Sequence, residues 1–174
     1  MNNRYFVTIV AYSVILFLYS CVLPPGYSVD SIQQSTMMDD RDGKEYKTVE
    51  VNNQILMAEN LNYITTEGNS WCYDNQSFNC SKYGRLYNIK SAKNACPKGW
   101  SLPHQILKHQ IYEKFGGYRD SGSFYDINDF GFWWFATEDY SGFYVLYKKH
   151  DGRNMQPYNE LSVEDGFSVR CIKD

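Results

Sequence analysis

Apolar and polar positions divide the chain into three regimes. Residues 5–18 are mostly apolar and carry no charge, residues 22–38 are polar and irregular, and from Asp39 onward short periodic segments alternate with turn residues. In the third regime Tyr46-Lys47-Thr48-Val49-Glu50-Val51 alternates with period two and predicts a half-buried strand. Asn52-Asn53-Gln54 closes a hairpin into a second strand over residues 55–61. Leu86, Ile89, Ala92 and Ala95 share the spacing of one helical face, which predicts a helix over residues 86–95 that Pro97 and Gly99 stop. Trp100-Ser101-Leu102 then reads as a short strand with Trp100 and Leu102 on one side. Pro103-His104 opens a second helix whose apolar face carries Ile106, Leu107, Ile111 and Phe115, and Gly116-Gly117 ends it. The remaining apolar runs, at 124–127, 132–137, 143–148 and 167–172, read as strands joined by glycine and aspartate turns. The pattern is α+β, with two short helices and short antiparallel strands.

The first two regimes carry an address. Asn2-Asn3-Arg4 and the apolar run that follows have the layout of a secretory signal, and the run is too short for a membrane-spanning helix, which takes about 20 residues. It ends in Leu18-Tyr19-Ser20-Cys21. That tetrad resembles the bacterial lipobox, which implies cleavage after residue 20 and an acylated Cys21 that anchors the chain to a membrane. Residues 21–38, with Pro24-Pro25-Gly26 against any helix, then serve as a tether, and the folded domain is expected over 39–174. Val22 in place of an aspartate after the cysteine points to the outer membrane of the cell envelope.

Four cysteines remain for an exported domain, where pairing is the rule. Cys72 and Cys80, eight apart, suit a local disulfide; a zinc site is the alternative, weakened by the missing C-x-x-C spacing and the absence of a nearby histidine. Cys96 with Cys171 would close most of the second half of the chain and place the last strand beside Trp100. The formal charge of −3 and the lack of a basic stripe leave no nucleic-acid partner.

Candidate chemistry is sparse. Asp39-Asp40-Arg41-Asp42-Gly43 reads as a turn; its D-x-D-G core lacks the other ligands of a calcium loop. His104, His109 and His150 lack the spacing of a metal site, and Glu138 and Asp139 with Asp126 or Asp129 are the nearest thing to a glycosidase acid pair. No nucleophile motif is present, so no catalytic residue, metal or cofactor is assigned.

Several runs resemble one bacterial family of exported lipoproteins, the Fibrobacter succinogenes major paralogous domain. They are Arg41-Asp42-Gly43-Lys44, Met57-Ala58-Glu59-Asn60-Leu61, Trp71-Cys72-Tyr73-Asp74-Asn75, Tyr83-Gly84-Arg85-Leu86-Tyr87, Ala95-Cys96-Pro97-Lys98-Gly99-Trp100, Gly116-Gly117-Tyr118-Arg119, Gly131-Phe132-Trp133-Trp134 and Ser168-Val169-Arg170-Cys171. The chain departs from the family pattern at Leu56, Ile89, Ser101 and Leu107-Lys108. It also runs from Phe115 straight into Gly116, where the family commonly carries a longer insertion, so it is a shortened copy. The element order, with a late cysteine paired near the first helix, is similar to the C-type-lectin-like fold, although neither the Glu-Pro-Asn nor the Trp-Asn-Asp type of calcium-sugar motif is present. Gln156-Pro157-Tyr158 comes nearest.

The family match places Trp134 in the core. Neighbours in a strand face opposite ways, so Trp133 is expected either beneath the Tyr140-Ser141-Gly142 loop or, with Tyr118, Tyr125 and Tyr140, on an exposed stacking surface. The sequence therefore predicts a non-catalytic cell-envelope lipoprotein that binds a glycan, such as a polysaccharide, or an envelope protein. The alternatives are a structural or degenerate paralogue without a ligand, or a carbohydrate-active enzyme with an acidic pair.

Overall fold

The computed structural model describes residues 34–104, 114–137, 142–152 and 154–174. The signal-like run, Cys21, the interior of the expected second helix, His109, Glu138, Asp139 and Tyr140 lie outside the described residues.

Strand β1 (Gln34–Asp39) pairs in antiparallel register with β2 (Lys44–Val51), and β2 with β3 (Gln54–Met57). The fold thus reaches back at least to Gln34, inside the stretch read as tether: a low apolar content does not prevent a strand whose backbone is paired along β2. Asn52 and Asn53 take φ of 51° and 61°, as a two-residue hairpin turn requires. Between β1 and β2 the Asp39 carboxylate accepts from Arg41 Nε at 2.8 Å and Nη2 at 2.7 Å, and Asp42 faces Lys44 at 2.9 Å. These carboxylates meet cations of their own turn, as the turn reading requires.

After β4 (Ser70–Trp71) and a 3-10 turn (Tyr73–Asn75), helix α1 (Ser77–Tyr83) carries Cys80, which is bonded to Cys72. The sequence pattern did not mark this helix. Strand β5 (Leu86–Tyr87) precedes α2 (Ile89–Ala92), so the helix expected over 86–95 is a single turn. The inward spacing is genuine, because Leu86, Ala92 and Ala95 are all buried. The boundary is set by Asn88, whose side chain accepts from the Ser91 N–H at 3.0 Å and caps α2.

Strand β6 (Trp100–Ser101) follows, then β7 (Tyr118–Asp120), β8 (Ser123–Tyr125), β9 (Phe130–Ala136), β10 (Phe143–Lys149) and β11 (Gln156–Tyr158). The run 167–172, expected as one strand, divides into β12 (Phe167–Ser168) and β13 (Ile172–Lys173), which belong to different sheets. One sheet has the order β1-β2-β3-β13-β6 and the other β11-β10-β9-β12-β5-β4, while β7 and β8 pair separately. As expected, β13 lies against β6, with Ile172 opposite Ser101, and Cys96 is bonded to Cys171.

The two large sheets share a core that includes Tyr46, Met57, Leu61, Tyr87, Trp134 and Phe167. Strand β9 shows why Trp133 and Trp134 part company. Phe132, Trp134 and Ala136 enter the shared core, while Trp133 and Phe135 join Phe115 and Leu146 on the opposite face. The architecture is mixed α+β, mostly sheet, with two short α-helices and two disulfides among the described residues.

Candidate functional site

The β7–β8 hairpin brings the expected surface tyrosines together. Ser121 and Gly122 take φ of 47° and 93° in its turn, and the register sets Tyr118 opposite Tyr125. Their rings stack at 5.3 Å with 29° between planes. Tyr118 also rests on Phe132 at 4.6 Å, so it is half-buried, whereas Tyr125 is 42% exposed. A third tyrosine joins them. Tyr158 of β11 lies 6.1 Å from Tyr118 and packs edge-on against Phe132. In the sequence Tyr158 registered only as a departure from a lectin motif, because its neighbours in space come from strands far away in the chain.

Beside the tyrosines is a carboxyl pair. Arg119 and Gly166 exchange backbone hydrogen bonds at 2.9 and 2.8 Å, which draws residues 162–166 alongside the hairpin. The Arg119 guanidinium lies over Trp71 at 4.0 Å and donates to the Glu164 carbonyl. Asp165 is only 3% exposed; its Oδ2 accepts from the Ser162 N–H at 2.7 Å, and Oδ1 has no donor among the described residues. Burial first, and then the Asp120 carboxylate to which a protonated Asp165 can donate, hold the Asp165 carboxyl above its ordinary 3.8. Nothing in Glu164-Asp165-Gly166 marks that depth; the triplet reads as an ordinary turn.

The same fields act on the phenols. Burial, followed by Tyr118 and the Asp165 charge, pushes Tyr158 up to about 12. Burial, then Asp126 and Asp120, raises Tyr118. Both hydroxyls therefore stay protonated at neutral pH and remain hydrogen-bond donors. The patch offers an exposed ring face, phenolic donors and a carboxylate acceptor at Asp120.

Trp133 does not belong to this surface. It is 1% exposed, donates from Nε1 to Asn60 Oδ1 at 2.8 Å, and has the Arg170 guanidinium 5.5 Å from its ring. The reason is positional: β9 is central in its sheet and covered on both faces, so neither tryptophan reaches solvent. Tyr140 lies outside the described residues, which leaves Tyr118 and Tyr125 as the members of the expected surface that the fold brings together.

The other candidates are dispersed. Asp126 and Asp129 sit in one tight turn, where the Asp126 carbonyl accepts from the N–H groups of Asp129 and Phe130. His150 packs against Phe115 at 5.3 Å between ring centres. Among the described residues no group of three or more His, Cys, Asp or Glu side chains is placed to hold a metal. Comparison of the chain with family models, with curated proteins and with solved structures finds no match.

Proposed function

We propose that the protein is a non-catalytic binding module of the cell envelope, anchored through Cys21, that holds a glycan against Tyr125, Tyr118 and Tyr158. The observation that carries this reading is the stacked Tyr118–Tyr125 pair, exposed at Tyr125 and flanked by Asp120. A sugar ring has an apolar C–H face and a rim of hydroxyls; an aromatic plane beside a carboxylate and phenolic O–H groups complements both. The non-catalytic part of the reading rests on the sequence, which carries no nucleophile motif. Membership of the Fibrobacter paralogous family, and a C-type-lectin-like topology, belong to the same proposal; they rest on the sequence runs and on the Cys96–Cys171 link that ties the chain's end to the α2 region.

Retention of the full chain on insoluble polysaccharides tests the site. Tyr125→Ala, which removes an exposed ring, is expected to cut retention about tenfold while leaving the melting temperature unchanged. Unaltered retention would overturn the tyrosine platform, and a wild-type chain that retains nothing would favour a purely structural role. Palmitate labelling that persists in Cys21→Ala would overturn the anchor.

A further inference from the structure

The Cys72–Cys80 bond carries a cation at its sulfurs. Arg85, just past the end of α1, donates from Nη1 to Cys80 Sγ at 3.4 Å and to Cys72 Sγ at 3.6 Å. Ser70 fixes the rest of the fork: its hydroxyl accepts from Nε at 3.0 Å and its carbonyl from Nη2 at 2.9 Å. No carboxylate among the described residues pairs with this guanidinium. Burial lowers the Arg85 pKa, yet a guanidinium stays charged at neutral pH. Arg85 is thus a half-buried cation facing two uncharged sulfurs.

Reduction would change that balance. A thiolate at either sulfur forms an ion pair with Arg85 that the disulfide cannot form, so the cation favours the reduced state. The remaining charges near Cys80 do not cancel it. In the cleft of about 210 Å³ that Cys80 lines, Lys114 pairs with Glu59 at 2.7 Å and Lys44 with Asp42 at 2.9 Å, while Glu45 is exposed. Asp74, inside the closed loop, is exposed too, and the Lys82 ammonium lies over the Tyr83 ring at 4.8 Å. The Cys96–Cys171 sulfurs have no cation against them among the described residues, and Cys171 is fully buried.

We infer that Cys72–Cys80 is a redox-active disulfide that exchanges with thiols, with Cys72 as the sulfur attacked and Cys80 as the leaving thiolate held by Arg85. Cys72 is half-buried, whereas Cys80 is 5% exposed, which sets the direction of attack. One thiolate of a reducing thiol pair bonds Cys72 Sγ; the S–S bond breaks and its electron pair stays on Cys80. The second thiolate attacks the reductant sulfur now bonded to Cys72, which frees Cys72 and leaves the reductant as a disulfide. Two electrons pass to the protein; of the two thiol protons, one goes to Cys72 and one to solvent. The dithiol is kept in place for reoxidation, because Asn79 Nδ2 donates to the Tyr73 carbonyl at 3.0 Å within the loop and the Tyr73 ring packs on Phe124 at 5.3 Å. The inference stands whether or not the tyrosine surface binds a glycan.

Glutathione redox buffers, followed by alkylation and peptide mass spectrometry of the full chain, test it. Cys72–Cys80 is expected to be half reduced in a buffer about a hundredfold less reducing than Cys96–Cys171 requires. In the selectively reduced chain, alkylation of the more acidic thiol, expected to be Cys80, should reach half its maximal rate at about pH 7, against about 8.5 for an ordinary thiol. R85M should raise that midpoint by about one pH unit and make the bond about tenfold harder to reduce; R85K, which keeps the charge, should retain most of the shift. R85M also loses the Ser70 contacts, so circular dichroism and its melting temperature serve as the folding control, and the wild-type midpoint decides without any variant. A wild-type midpoint at or above about 8.5 overturns the inference. So does a Cys72–Cys80 bond that resists glutathione as strongly as Cys96–Cys171, or a folded R85M with wild-type midpoint and reducibility.

Discussion

At the residue scale, two polar side chains do most of the joining. Asn60 uses its whole amide: Oδ1 accepts from Trp133 Nε1 and Arg170 Nε, both at 2.8 Å, and Nδ2 donates to the Tyr83 and Lys114 carbonyls. It is buried, where an unmade hydrogen bond costs more than at the surface. Arg41 works at the rim. It bonds the fully buried Asp39, donates to the carbonyls of Ala95 and Cys96, and stacks over Tyr63 at 3.8 Å. Burial alone would raise the Asp39 carboxyl, but the hydrogen bonds and charge of Arg41 outweigh it and hold the group below 3.8. A depressed folded-state value stabilises the fold above the unfolded value, and that contribution is lost as pH falls through the folded one. Asp39→Asn, which weakens hydrogen bonds to a charged group, is therefore expected to cost about 2 kcal/mol at neutral pH. The gap from wild type should narrow below about pH 3.8, as read from urea unfolding at both pH values; a gap independent of pH would show that the charge of Asp39 is not what stabilises the turn.

At the element scale, the β7–β8 hairpin is positioned by Gly117. This residue has φ of 64°, and a Cβ there would lie 2.2 Å from the Tyr125 carbonyl oxygen and 2.8 Å from the Ile127 nitrogen. Both contacts are with backbone, so no side chain can swing aside. Gly117→Ala should cost about 2–4 kcal/mol and lower the melting temperature. It should also move Tyr118 off Tyr125 and weaken polysaccharide retention; a fully stable variant would show that the hairpin yields more easily than this packing implies. Strand β9 teaches a related lesson. The alternation in Phe132-Trp133-Trp134-Phe135 predicts two faces correctly, and period two leaves open whether the second face meets solvent or a second core. Phe115 and Leu146 supply that core.

At the scale of the whole molecule, the C-terminal segment ties the sheets together. Phe167, Val169 and Cys171 enter the shared core, Arg170 turns to Asn60, and the chain leaves one sheet at β12 to join the other at β13. The Cys96–Cys171 bond closes a loop of 75 residues and the Cys72–Cys80 bond one of 8. Cys96→Ser with Cys171→Ser should therefore lower unfolding free energy by about 4.5 kcal/mol, against about 2.5 kcal/mol for the Cys72 and Cys80 pair, as measured by urea midpoints; a larger loss from the short loop would overturn that order. Local signals carried much of this design. Period-two alternation marked β2, apolar runs between turn residues marked β9 and β10, paired asparagines marked the first hairpin, and the four cysteines left for pairing marked both disulfides, because each of these is written in the order and count of residues along the chain. Tertiary structure alone decided the rest. The depth of Trp133 and Asp165 and the arrival of Tyr158 beside Tyr118 join residues far apart in the chain, and burial and electrostatic potential arise only when such segments pack.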